Sequence, residues 1–194
     1  MLYKEAVSTK EDPLRQKPVL ILSFALGLLV AFGAPQHGVA QSNTFSIALM
    51  GGLGGSFDAE PDTGLDNTGL QVRFTMELDL RTDFAVRVGK MDLEGESSVP
   101  GLFDSELTYL TLAGEYAFPA GYYESGLFIG LGLYDLSGDL FIPDEDGIGL
   151  TVGASGEFRI TDRFFAVVEF SGHYADLDYA QFFAMGHAGV GFRF

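Results

Sequence analysis

Eight charged residues share one parity across six alternating stretches of the chain: Arg73, Glu77, Arg87, Glu115, Glu157, Arg159, Glu169 and Arg193. Four acids balanced by four bases are suited to mutual pairing, because an isolated charge away from water is costly and a pair much less so. Two uses follow. The set is either a plug of salt bridges that closes an interior, or a gated path for ions whose pairs exchange. His173 and His187 have the same parity and lie near Glu169, with Ser171 two residues before His173. Imidazole, hydroxyl and carboxylate groups could support hydrolysis or hold a metal. No nucleophile, base and orienter are evident as a series, so an interior hydrogen-bonding pair is the simpler reading. Asp144, Glu145 and Asp146 offer hard oxygen ligands of the kind a divalent cation takes. Their spacing matches no defined calcium loop, so they remain weak candidates, and neither a metal nor a cofactor is expected.

Composition narrows the classes. The chain has 194 residues, no Cys, 26 Gly and 18 Phe, with a formal charge of −16. Disulfides, thiolate metal sites and Cys nucleophiles are thereby excluded. A nucleic-acid partner is not expected, since phosphate binding requires a basic patch.

The elements that position the charges are β-strands. Eight stretches alternate with period two, which puts successive side chains on opposite faces. The clearest runs from Leu70 to Leu80, with Leu70, Val72, Phe74, Met76 and Leu78 against Gln71, Arg73, Thr75, Glu77 and Asp79. The others begin near Thr44, Phe84, Tyr109, Gly126, Ile148, Phe164 and Gln181. Connections alternate too: 81–83, 119–123 and 161–163 are tight, whereas 55–68, 92–105, 135–147 and 175–180 are mostly longer and acidic. Segments of about ten residues with this dyad period, joined by short turns at one end and long loops at the other, are the pattern of a transmembrane barrel. Alternation alone does not say which face is the lumen. The apolar face is uniformly large, and the other mixes Gly, Ala, Ser and Thr with Glu and Arg but no Lys, which favours apolar residues outside. Trp is absent, so an interfacial girdle would use Phe84, Tyr116, Phe118, Tyr122, Tyr123, Phe164, Phe192 and Phe194.

The final stretch, QFFAMGHAGVGFRF, ends on an aromatic residue. It resembles the C-terminal assembly signal of bacterial outer-membrane barrels in His187, Gly189, Phe192 and Phe194. With the eight stretches, the region beyond residue 40 resembles the small eight-stranded outer-membrane proteins of the OmpA transmembrane-domain and OmpX type. The resemblance implies an all-β, eight-stranded antiparallel up-and-down transmembrane barrel in the outer membrane, long acidic loops outside and short turns in the periplasm. It implies as partners outer-membrane lipid, lipopolysaccharide and the barrel-assembly machinery, with a monomeric state. The leading function is a structural or surface-interaction role without enzymatic activity. A small porin-like gated pore is the alternative, and a lipid- or ligand-handling barrel, including a lipid-modifying hydrolase, is the third. Lipid A deacylases of the outer membrane carry a Ser two residues after their His; here that position is Ala175.

The N-terminus reads as a targeting segment. Lys10, Arg15 and Lys17 precede an apolar run from Val19 to Phe32, and Gly38-Val39-Ala40 places small residues where a signal peptidase reads. The expected division is a signal peptide over 1–40, cleaved after Ala40, and a barrel over 41–194. Beyond residue 40 the chain has 7 basic and 24 acidic residues, a net charge of −17.

Overall fold

A computed structural model describes residues 44–59, 63–94, 104–138 and 142–194. The expected signal peptide and its cleavage point lie outside these residues. Eight strands form a closed barrel: β1 Phe45–Ser56, β2 Asn67–Glu77, β3 Thr82–Glu94, β4 Asp104–Ala120, β5 Tyr123–Gly138, β6 Glu145–Arg159, β7 Phe164–Ala175 and β8 Phe182–Arg193. Each pairs antiparallel with its sequence neighbours, and β1 closes on β8. Closure leaves no edge strand unpaired. It extends to the last residue, where the Phe194 amide donates to the Phe45 carbonyl at 2.9 Å.

The barrel is inside out relative to a soluble one. Ile148 and Phe170 on the outer wall are 69% exposed, whereas Arg87 and Glu169 inside are 0% exposed. Rings gather at the short-turn rim: Tyr116 meets Phe118 edge-on at 5.0 Å, Phe164 meets Phe192 at 5.2 Å, and Phe194 stacks on Phe192 and Phe45.

Alternation reverses its sense partway up the wall. On β3 the outward residues run Phe84, Val86, Val88 and then Lys90, Asp92, Glu94. Over the same span the inward ones change from Asp83, Ala85, Arg87 and Gly89 to Met91 and Leu93. Neighbouring strands do the same: Glu106 and Asp135 face out while Leu107 and Leu136 are buried. Where the outer face becomes water-compatible, the lumen becomes oil-like. From Thr82 to Lys90 the apolar wall spans eight residue steps, roughly 20 Å along the axis of a tilted strand, close to the ~25 Å band of outer-membrane barrels.

The strands therefore run further than the apolar pattern alone indicates. Asp92, Glu94, Asp104, Asp135, Glu145 and Asp146, assigned to loops from the sequence, sit on paired strands above the band. Backbone pairing does not depend on an apolar outer face once that face leaves lipid.

Candidate functional site

The lumen is filled in two tiers. At the long-loop end, Met91, Leu93, Leu107, Tyr109, Tyr134, Leu136, Phe183 and Met185 form an apolar cluster with Ala59, Ile142, Leu177 and Ala180 from the connections above. The described parts of the β1–β2, β5–β6 and β7–β8 connections thus fold over the mouth. Asp58 holds this cover in place, its carboxylate accepting from the Gln181 and Phe182 amides at 3.0–3.1 Å. Glu145 accepts from the amides of Asp178 and Tyr179 at 2.7 and 3.2 Å, and Asp144 from Gly138 at 3.2 Å. Burial under the cover raises the Tyr179 phenol above its ordinary value. Two of the three weak metal candidates therefore serve backbone amides, and Asp146 lies beside them on β6. Among the described residues no group of three or more His, Cys, Asp or Glu side chains is placed to hold a metal ion.

An Asp58→Ala variant should loosen the cover without opening the barrel. Losing a charge-assisted acceptor costs about 1.5–3 kcal/mol. Hydrogen exchange at the Gln181 and Phe182 amides should rise at least tenfold, with exchange in β5 and β6 unchanged.

The lower tier is a continuous charged ladder. Glu169 on β7 is its hub: Arg87 Nε donates to both carboxylate oxygens at 3.0 Å, Gln71 Nε2 donates at 3.0 Å, and Arg73 Nη1 lies 3.7 Å away. Tyr109 extends the ladder upward, donating to Gln71 Oε1 at 2.7 Å. Downward, Arg87 pairs with Glu115 at 3.2 Å, and Glu115 accepts from Ser155. Arg73 pairs with Glu157, which also takes Arg193 at 3.1 Å, and Arg193 reaches Glu77 at 3.6 Å. The Arg87 guanidinium lies 3.8 Å over the Phe128 ring, a cation–π contact that fixes its plane. Alongside the lower half of the ladder, Ala48, Met50, Phe165 and Val167 pack as a second apolar cluster, Ala48 in register with Arg73 and Val167 with Glu157.

Seven of the eight charges singled out from the sequence join this ladder. Arg159 does not. At the last position of β6 its side chain is exposed at the rim, where it borders a notch of about 20 Å³ with Glu157 and Arg193, and it forms no ion pair among the described residues. The notch has room for about one water. Gln71, Ser155 and Tyr109 are members that counting charges misses; inward parity on their strands was the available signal.

The histidines differ in partners. His187 faces Glu169 across the β7–β8 register, and neither of its ring nitrogens is bonded to protein. His173 Nδ1 is 2.9 Å from the Tyr134 hydroxyl and Nε2 is 2.9 Å from Ser171 Oγ. That hydroxyl–imidazole–phenol line has the order of a relay, but the orienting group is a phenol and all three members are buried. A lipid-modifying site needs its hydroxyl to meet an acyl ester, whereas Ser171 is 6% exposed and its hydroxyl is taken up by His173.

No protein-family model matches the chain, and no curated protein sequence does. Solved structures do. Neisserial surface protein A is similar over 80% of this chain and 98% of its own, with 17% identity and a TM-score of 0.58. The outer membrane protein OprG from Pseudomonas aeruginosa is similar over 79% and 97%, with 12% identity and a TM-score of 0.56. Ail, the attachment invasion locus protein of Yersinia pestis, is similar over 78% and 97%, with 20% identity and a TM-score of 0.51. The fold is that of the small eight-stranded outer-membrane β-barrels.

Proposed function

We propose that the chain is an integral outer-membrane barrel with a sealed lumen, acting at the cell surface as a structural or interaction protein and not as an enzyme. One observation carries this reading: the apolar wall ends at the height where the lumen changes from charged to apolar. Such a reversal is expected only where the outside changes from lipid to water. The wall then meets the acyl chains of lipid and lipopolysaccharide, and the terminal strand bearing His187, Gly189, Phe192 and Phe194 is the segment the assembly machinery would read.

The long-loop end is strongly acidic. Among the described residues three arginines are exposed, Arg81, Arg159 and Arg163, and each lies at the short-turn rim. The one lysine beyond residue 40, Lys90, is held by Glu106 and Asp92. One structure of Ail is a complex with a heparin analogue, sucrose octasulfate. A polyanion of that kind would be repelled by this surface; a partner here would be cationic or would arrive with cations.

The pore alternative meets three barriers in series: the folded cover, the apolar upper cluster and the ladder. The protein should therefore be extracted from outer membranes only by detergent, and reconstituted in planar bilayers it should add no steady conductance. Stepwise ion conductance from the parent protein would replace the sealed reading with the pore.

A further inference from the structure

The outer wall has a notch that the barrel itself does not need. Gly114 on β4 faces lipid, and a Cβ built there meets nothing within 4 Å. Its register partners are Phe84 on β3 and Ile129 on β5. The bare backbone opens a groove of about 340 Å³, with Thr82, Tyr116, Leu127 and Ile129 along its sides. The groove is shallow and open outward, so a ligand there lies along the wall and is not enclosed by it. The groove starts one outward side chain below Tyr116, about 7 Å deeper in the wall.

A cation stands directly over it. Arg81, in the β2–β3 turn, is exposed, and its Nη1 donates to the Tyr116 hydroxyl at 3.2 Å. Its backbone amide is held by Asp79 at 2.8 Å, which fixes the turn. Tyr116 packs edge-on against Phe118, so the phenol stays at rim height. An apolar slot capped by a guanidinium and a phenol at the headgroup level fits one molecule shape: an acyl chain below and a phosphate above.

We propose that this groove binds a phospholipid of the leaflet at the short-turn rim, with one acyl chain over Gly114 and its phosphate on Arg81. The inference rests on the membrane reading above. Guanidinium recognition of phosphate is charge-assisted and geometrically selective. An anionic headgroup is therefore preferred to a zwitterionic one, whose own cation competes for the phosphate. Gly114 supplies room, Arg81 supplies sign, and Tyr116 sets the height at which the two meet.

Native mass spectrometry of the detergent-purified barrel, exchanged with dioleoyl phosphatidylglycerol or dioleoyl phosphatidylethanolamine, tests this. The parent should retain a single phosphatidylglycerol. A Gly114→Leu variant fills the groove from outside and should lose it. A Gly172→Leu variant adds the same bulk to the outward face of β7, away from the groove, and should retain it. An Arg81→Gln variant should keep a bound lipid but lose roughly tenfold in preference for phosphatidylglycerol. Equal retention by the parent and the Gly114 variant, or equal loss from both glycine variants, would overturn the site. An unchanged headgroup preference in the Arg81 variant would overturn the role given to Arg81. Glycerol 3-phosphate competing as strongly as the intact lipid would reduce the groove to a phosphate site and overturn the acyl-chain assignment. A parent that stays monomeric and soluble without detergent would instead remove the membrane reading on which the proposal stands.

Discussion

Glu169→Gln should be the most damaging conservative change in the lumen, lowering the unfolding free energy by roughly 3–5 kcal/mol. The side chain keeps its size, so no cavity arises, and the effect is electrostatic. Glu169 is 0% exposed and offers only acceptors to Arg87, Gln71 and Arg73. A glutamine turns an amide NH₂ toward these donors, which sets donor against donor and leaves two buried guanidiniums sharing less negative charge. Arg87 has only Glu115 to turn to, and its place over Phe128 prevents it from following a new partner. Breaking one member of a buried charged set is costly for this reason, whereas replacing a whole set by apolar groups of similar volume is often neutral. A second variant separates the two cases. Arg87→Met with Glu169→Gln removes a cation along with the lost anion and should recover part of the loss, the remainder falling on Glu115, which keeps only Ser155. Urea unfolding in micelles, followed by circular dichroism because the chain has no Trp, gives both numbers. A change below about 1 kcal/mol for Glu169→Gln would mean that the ladder is solvated and the lumen open.

The same ladder shows what could and could not be read from residue order. Parity placed Arg73, Glu77, Arg87, Glu115, Glu157, Glu169 and Arg193 on the inner face, because a strand leaves a side chain only two directions. Which acid takes which base depends on register and tilt around a closed barrel, and these are properties of all eight strands together. Arg159 shows the limit. Its parity matches that of the others, but it is the last residue of β6, where the wall ends and water competes for the guanidinium. Tyr134, His173 and Ser171 form a line by the same logic: β5 and β7 are not neighbours, so their contact passes through the lumen and leaves no mark in local spacing.

The long-loop acids were legible as acids but not as to position. A strand whose outer face turns from Val88 to Lys90 loses its apolar stripe outside and gains one inside, and a reading that follows one stripe ends the strand there. Following both stripes keeps β3 running to Glu94. Asp58 and Glu145 carry a second lesson. Their carboxylates close the cover by accepting backbone amides more than thirty residues away, so each looks like part of a solvated acidic surface until the loops are folded. Acidity at this end thus has two components, a few carboxylates that tie the cover down and a larger number on the outer faces above the band.

Leu131→Arg should cost about 2–4 kcal/mol in a bilayer, and this is the substitution on which the orientation of the whole wall depends. Leu131 is 67% exposed, lies near the middle of the outward run Leu127, Ile129, Leu131, Leu133, and is flanked in register by Leu112 and Leu150. In water an arginine at so exposed a site would change stability by no more than about 0.5 kcal/mol, since surface substitutions away from special features are near neutral. In lipid the guanidinium must either thin the bilayer or stretch to a headgroup, and from the middle of the band the reach is greatest. The cost is therefore a property of the surroundings, and a matched site at the boundary calibrates it. Thr108→Arg lies on the outer face of β4 in register with Lys90 and Asp135, where the wall already carries charge, and should cost at most about 1 kcal/mol. Reversible folding into lipid vesicles gives both values. A large difference between positions 131 and 108 fixes the hydrocarbon boundary between them, at the height where the lumen turns apolar. Equal and small costs at both would mean that Leu131 faces water, and the exposed apolar wall would then have to be covered by protein.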